Sequence, residues 1–217
     1  MKTVDFIDNS KTQTPETQSF ITPEMALTLL QKGNERFLKN ELLERKFDTQ
    51  VAETASGQYP FAVVLSCIDS RVPTEIIFDQ GIGDIFNAGV AGNIVNGDIL
   101  GSMEFACKFA GVKLVVVLGH TACGAVKGAC DSVEAGNLTG LLKKIEPAMH
   151  SIKTEPNEER NSGNADFVNR VAARNAELTV ENIHTNSPIL HELFEEGKID
   201  IVSAMYDVAS GKVTFLK

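Results

Sequence analysis

Apolar positions along the chain follow two different periods. Continuous apolar runs of strand length occupy 61–67 (FAVVLSC), 84–88 (DIFNA), 113–119 (KLVVVLG) and, later, 199–206 (IDIVSAMY). Helical spacing fills the gaps at 73–79, at 99–110 and from 123 to about 133. Strands that are apolar throughout, alternating with helices, predict a mainly parallel sheet covered on both faces. The closing stretch DVASGKVTFLK places Ser210-Gly211 in a hairpin-like turn before a short edge strand. Upstream, ITPEMALTLLQKGNERFLKN has the marks of a helix start: Thr22 as cap, Pro23 at the first helical position and Glu24 at the positive end. Its apolar stripe is read as Leu27, Leu30, Phe37 and Leu38 with Asn34, and Met25, Leu29 and Lys32 fall on another side. The helix is expected to pack on something outside the sheet. Residues 40–58 predict further helix and a loop ending at Gly57-Gln58-Tyr59-Pro60. Residues 1–21 are expected to form a flexible or extended arm, residues 22–217 one α/β domain, and 151–165 an exposed insertion.

Composition narrows the function. The chain has 217 residues, enough for one well-cored domain. Its net charge of −9 comes with no basic stripe, which argues against a nucleic-acid partner. The longest apolar run, 114–118, is too short to cross a bilayer. The amino terminus has no apolar stretch of signal-peptide length. Cys67, Cys107, Cys123 and Cys130 are too few and too scattered for a disulfide framework, so metal-held or buried thiols in a reducing compartment are expected. The expected location is cytoplasmic, with no membrane partner.

Two strand ends carry the chemistry. VVLSCIDSRV sets Cys67, Asp69 and Arg71 at alternate positions just past a buried strand, and KLVVVLGHTACG sets His120 and Cys123 past another. Ligands of parallel sheets collect at such carboxyl ends. Two cysteines and a histidine are a donor set that zinc accepts while keeping a fourth position open. Alone, Cys67 would pass for a small buried hydrophobe and His120 for a bonded core histidine; Cys107 and Cys130 are read as core. A cysteine phosphatase is disfavoured, because the loop from Cys67 to Arg71 is short for wrapping a phosphate and Asp69 would repel one.

CIDSRV (67–72) paired with GHTACG (119–124) resembles the signature of the β-class carbonic anhydrases. The match runs in register from about Gln58 to Cys123, and looser similarity extends from residue 22 to the carboxyl terminus. That resemblance implies zinc (Zn2+) held by Cys67, His120 and Cys123, with Asp69 and Arg71 as catalytic dyad. It implies substrate contacts from Gln58, Phe86, Phe105 and Gly124, and a mainly parallel four-stranded sheet in order 2-1-3-4 with an antiparallel edge strand, helices on both faces and an N-terminal helical arm. Gln58, the absence of tryptophan and Gly89 in place of an arginine resemble the open-site, plant-like branch. In that branch water keeps the fourth zinc position. Phe105 departs from the tyrosine found there.

The implied reaction is reversible hydration of carbon dioxide to bicarbonate and a proton, with zinc-bound hydroxide as nucleophile oriented by Asp69 and Arg71. The implied assembly is a homodimer as minimal unit, with a tetramer as the larger alternative. Partner-embracing amino-terminal helices would give the 25–38 stripe a home. Rival readings are hydrolysis of carbon disulfide in the same fold and a zinc-stabilised binding protein without activity. No proton shuttle is evident: His150, His184 and His191 are remote in sequence and read as surface or helix-face histidines.

Overall fold

The computed structural model describes residues 7–216; residues 1–6 of the expected arm lie outside them. The helices are α1 (Pro15–Phe20), α2 (Pro23–Lys39), α3 (Phe47–Thr54), α4 (Thr74–Ile77), α5 (Gly97–Glu104), α6 (Gly124–Cys130), α7 (Gly136–Leu142), α8 (Glu146–Ser151), α9 (Ala165–Asn186) and α10 (Pro188–Glu195). The strands are β1 (Ala62–Ser66), β2 (Ile85–Gly89), β3 (Leu114–His120), β4 (Asp200–Tyr206) and β5 (Val213–Phe215). They form one sheet in the order β2-β1-β3-β4-β5, parallel except for β5, as the sequence and its family resemblance imply.

β3 is the centre. All seven of its residues are buried, because helices cover it from both sides. One face, with Ala62, Val64, Leu114, Val116 and Leu118, packs on Met25, Ala26, Leu29 and Leu30 of α2 and Ile77 of α4. The opposite face, with Val63, Leu65, Val115 and Val117, packs on Met103 of α5, Ala176 and Ile183 of α9 and Leu190 of α10. Interdigitated side chains of this kind tolerate truncation poorly; a core Leu→Ala costs about 2–5 kcal/mol.

The packing corrects the reading of α2. Thr22 caps the helix, its side chain accepting from the Met25 backbone N–H at 3.2 Å. The buried arc, however, is Met25, Ala26, Leu29, Leu30, Gly33 and Asn34, turned onto the sheet rather than away from it. Leu38 from the expected stripe is exposed. Gly33 shows why the helix can lie so close: a Cβ there would stand 1.8 Å from the Phe78 carbonyl oxygen. Asn34 then bridges elements, donating to the Ile77 and Gly211 carbonyls and accepting from the Val213 N–H.

The amino-terminal stretch also differs from an aperiodic arm. Residues 15–20 form α1, closed by a Thr14–Thr17 capping box. Gln18 donates to the Pro60 and Ala110 carbonyls at 2.7 and 2.8 Å, fastening the helix beside the start of β1. Asn9 and Gln13 are buried against the body. Helix α5 is shorter than the expected 99–110 and widens into a π turn at Phe105–Phe109.

Candidate metal centre

The strand register assembles the site. β1 and β3 run parallel with Ser66 opposite Leu118, so Cys67 and His120 leave neighbouring strands at the same end of the sheet. Cys123 returns to them through a tight turn in which Ala122 adopts φ 56°, a left-handed conformation unfavourable for a residue with a Cβ. Asn169 on α9 holds that turn, accepting the Ala122 N–H at 3.0 Å. Cys123 then occupies the N-cap position at the entry into α6, its side chain free of any capping bond to the helix.

Cys67, His120 and Cys123 are all buried, and their Sγ and ring-nitrogen atoms lie within 4.8 Å of one another. The two sulfurs are 4.0 Å apart and unbonded. Tetrahedral zinc with Zn–S near 2.3 Å needs about 3.8 Å between its sulfurs. The His120 ring is already set for coordination. Its Nδ1 lies 2.9 Å from the Thr121 carbonyl oxygen, which assigns the proton to Nδ1 and leaves Nε2 with a free lone pair. That buried Nε2 has no hydrogen-bond partner in the protein. An orphaned nitrogen facing two thiols fits a metal ion better than a satisfied core histidine.

The electrostatics agree. Hydrogen bonding from Cys123 is the largest influence pulling the Cys67 thiol down to about 4, against burial, and the Gly92 N–H adds to it. Cys123 moves upward, because its proton serves the Cys67 thiolate and a second buried negative sulfur is disfavoured. Only a cation would hold both as thiolates. Cys107, pushed up to about 12 by burial alone, and Cys130 lie outside the cluster.

Asp69 and Arg71 flank this set. Arg71 donates from Nε and Nη2 to the two carboxylate oxygens at 2.9 and 2.8 Å, and its backbone N–H adds a third bond at 3.0 Å. Asp69 Oδ2 is 3.9 Å from His120 Nε2, beyond hydrogen-bond reach. The Arg71 guanidinium holds the Asp69 carboxyl far below the usual carboxylate range.

A carbonic anhydrase family model matches residues 62–213, which contain all five of these residues. The chain belongs to the β-class carbonic anhydrases, an enzyme family. It is 34% identical over 200 residues to carbonic anhydrase 2 of Mycobacterium tuberculosis, covering 88% of this chain and 91% of that one. Its fold is similar to a Coccomyxa β-carbonic anhydrase solved with acetazolamide, with TM-score 0.69, 22% identity and coverage of 78% and 77%. It is also similar to one of two tetrameric β-carbonic anhydrases of Sordaria macrospora, with TM-score 0.65, 24% identity and coverage of 78% and 90%.

The expected substrate residues do not all converge in one chain of this carbonic anhydrase. Gln58 is exposed on the loop entering β1, whereas Cys67 leaves the strand's other end; five strand residues span about 16 Å. Phe86 on β2 is half-buried, with its ring 6.4 Å from that of Phe105. Phe105 stacks at 6.3 Å on Phe109, and these two rings are 57% and 75% exposed. Gly124 opens α6 beside Cys123, with no atom within 4 Å of where a Cβ would stand.

Supporting residues escaped the sequence reading. Gly92 donates its N–H to Cys67 Sγ at 3.4 Å, and Asn175 Nδ2 holds the Gly92 carbonyl at 2.8 Å. Gly92 has φ 70° and stands against Ile145, so a side chain is doubly disfavoured there. The available signal was an asparagine, Asn175, embedded among Val171, Ala172 and Ala176 at helical spacing.

Proposed function

We propose that this chain catalyses the reversible hydration of carbon dioxide to bicarbonate and a proton, with zinc held by Cys67, His120 and Cys123. The observation that carries this reading is the buried Cys-His-Cys set with an arginine-anchored carboxylate at its rim. Zinc bound there would supply Lewis acidity that makes hydroxide available near neutral pH, as it does in carbonic anhydrases built on three histidines, where the water pKa falls to about 7.

The chain's own groups supply orientation. Asp69 stays ionised throughout the neutral range because Arg71 stabilises its charge, so it accepts a hydrogen bond from the attacking oxygen without removing its proton. That bond turns the oxygen's lone pair toward the carbon. Two thiolates donate more charge to a metal than imidazoles do, and the Gly92 N–H on Cys67 Sγ withdraws part of it. With Asp69 in the grip of Arg71 and outside the ligand set, the arrangement supports the open-site form.

We assign a homodimer as the minimal active unit and tetramers as the larger alternative. Gln58 would reach the opposite subunit's metal end and bind an oxygen of the substrate through its amide. Phe86, Phe105 and Gly124 would line an apolar approach suited to carbon dioxide. Exposed Ile68, Phe105 and Phe109, at 70%, 57% and 75%, are the kind of surface a partner covers. Residues 22–217 would act as one domain, in the cytoplasm, where Cys67 and Cys123 stay reduced; among the described residues no helix is long and apolar enough to cross a membrane.

A stopped-flow indicator assay at pH 8.5 on zinc-loaded protein tests the reading. Catalysed proton release in wild type and its loss in Asp69→Asn are expected. No rate above buffer in wild type would defeat it.

A further inference from the structure

His184 and His191 meet although neither touches the metal centre. His184 stands in the last turn of α9 and His191 in the first turn of α10, which Pro188 opens and the Ser187 side chain caps by accepting the Leu190 N–H at 3.2 Å. This sharp junction folds the two rings together, their centroids 5.5 Å apart and their planes at 87°. Phe194 backs the His184 ring edge-on at 4.7 Å and limits its rotation. The Nδ1 atoms face each other at 3.4 Å.

That separation decides between two uses of the pair. A good nitrogen-donor hydrogen bond has its heavy atoms about 2.7–3.2 Å apart, so 3.4 Å is long for one. Two imidazole nitrogens on a tetrahedral ion, each about 2.0–2.1 Å from it, stand about 3.3–3.4 Å apart. The surroundings favour a cation. Glu195 lies one turn beyond His191 on α10, on the same helix face, and is exposed. Glu195 and Asp200 both place negative charge near His184. The carbonyls ending α9 add the negative pole of that helix. Burial, and then His191 itself, lower the His184 pKa, which keeps its lone pair available at neutral pH.

We propose that His184 and His191 form a second metal site, for one borderline divalent transition ion of the zinc and nickel class, completed by Glu195 and water. Imidazole with a single carboxylate suits such ions and not calcium or magnesium. Asn175, the α9 residue that supports the catalytic loop, lies nine residues before His184, about 13 Å along the helix, so the two sites are separate. Bound metal would staple α9 to α10, and α10 packs on α5 and the π turn that carries Phe105 and Phe109.

The test uses zinc-loaded protein titrated with nickel chloride at neutral pH, followed by calorimetry and by the imidazole resonances in NMR. One nickel per chain is expected, with paramagnetic broadening confined to the His184 and His191 rings and the catalytic zinc retained. His191→Ala, at an exposed position, should weaken nickel binding by at least about tenfold, the loss seen even for supporting groups of metal sites. Glu195→Gln should weaken it less. Zinc content and circular dichroism of each variant establish that the fold is intact. Absence of nickel binding, or binding that His191→Ala leaves unchanged, would reduce the pair to an ordinary imidazole contact and overturn the proposal.

Discussion

Arg71 grips both carboxylate oxygens of Asp69, at 2.9 and 2.8 Å, and thereby holds that carboxylate beside the His120 ring without letting it join the thiols. Arg71 is half open to solvent, so the worth of the pair lies in orientation and charge state more than in stability. Asp69→Asn should retain zinc and lose about 10²–10⁴ in turnover, the range typical of a positioned proton-handling group. Zinc analysis beside stopped-flow assays checks this; a variant with full metal and full rate would remove Asp69 from the mechanism.

Asn175 should matter beyond its own hydrogen bond. Asn175→Ala strands the buried Gly92 carbonyl, a loss of about 1–3 kcal/mol in stability. It also frees the loop whose N–H meets Cys67 Sγ, so zinc affinity should fall by about 10–100-fold in chelator competition. Destabilisation with unchanged zinc affinity would mean that the loop holds its place without Asn175.

Asp84 gives a pH signature opposite to that of most carboxylates. Burial pushes its carboxyl up to about 6 from an ordinary 3.8, and its Oδ1 has no hydrogen-bond partner. The folded state therefore binds more protons than the unfolded one between those values. The contribution of Asp84 to stability is fully present below about 3.8 and is lost as pH rises through about 6. Asp84→Asn should gain on wild type between pH 4 and 7, by about 2–3 kcal/mol at one unit per 1.4 kcal/mol. Urea denaturation across that range reads the difference, and parallel pH profiles for the two proteins would contradict it.

Phe109 is the most exposed large apolar side chain of the Phe86–Phe105–Phe109 row. If a second copy covers it, Phe109→Glu should yield folded monomers by sedimentation velocity and abolish carbon dioxide hydration together with the dimer. A variant that remains dimeric would place the interface elsewhere.

The sheet and the candidate metal centre were legible because their signals are local. Four apolar runs of strand length and two short motifs at strand ends suffice to predict a parallel sheet with its ligands at one edge, and β1 and β3 then deliver Cys67 and His120 as neighbours. The buried arc of α2 was not legible. Leu30 and Asn34 of the expected stripe are buried, but the arc continues through Met25 and Leu29 and leaves Leu38 exposed, and only the surface offered by the sheet and Phe78 selects that course. Helix α9 was not legible either, since its buried line is interrupted by polar Asn175 and Thr179, and Gly92, the partner of Asn175, lies far away in sequence.

By itself, then, the sequence determined residue chemistry and period: which strands are buried, and which thiols, imidazole and carboxylate stand at their ends. The tertiary structure alone decided the free lone pair on His120, the Asn175–Gly92–Cys67 relay, the separation of Gln58 from the metal end and the meeting of His184 with His191. The His120 bond, to adjacent Thr121, depends on the turn that follows β3, and the others are distances between residues separated by a strand, by a helix junction or by far more of the chain. Such distances are fixed by packing and chain reversal, which no local pattern encodes.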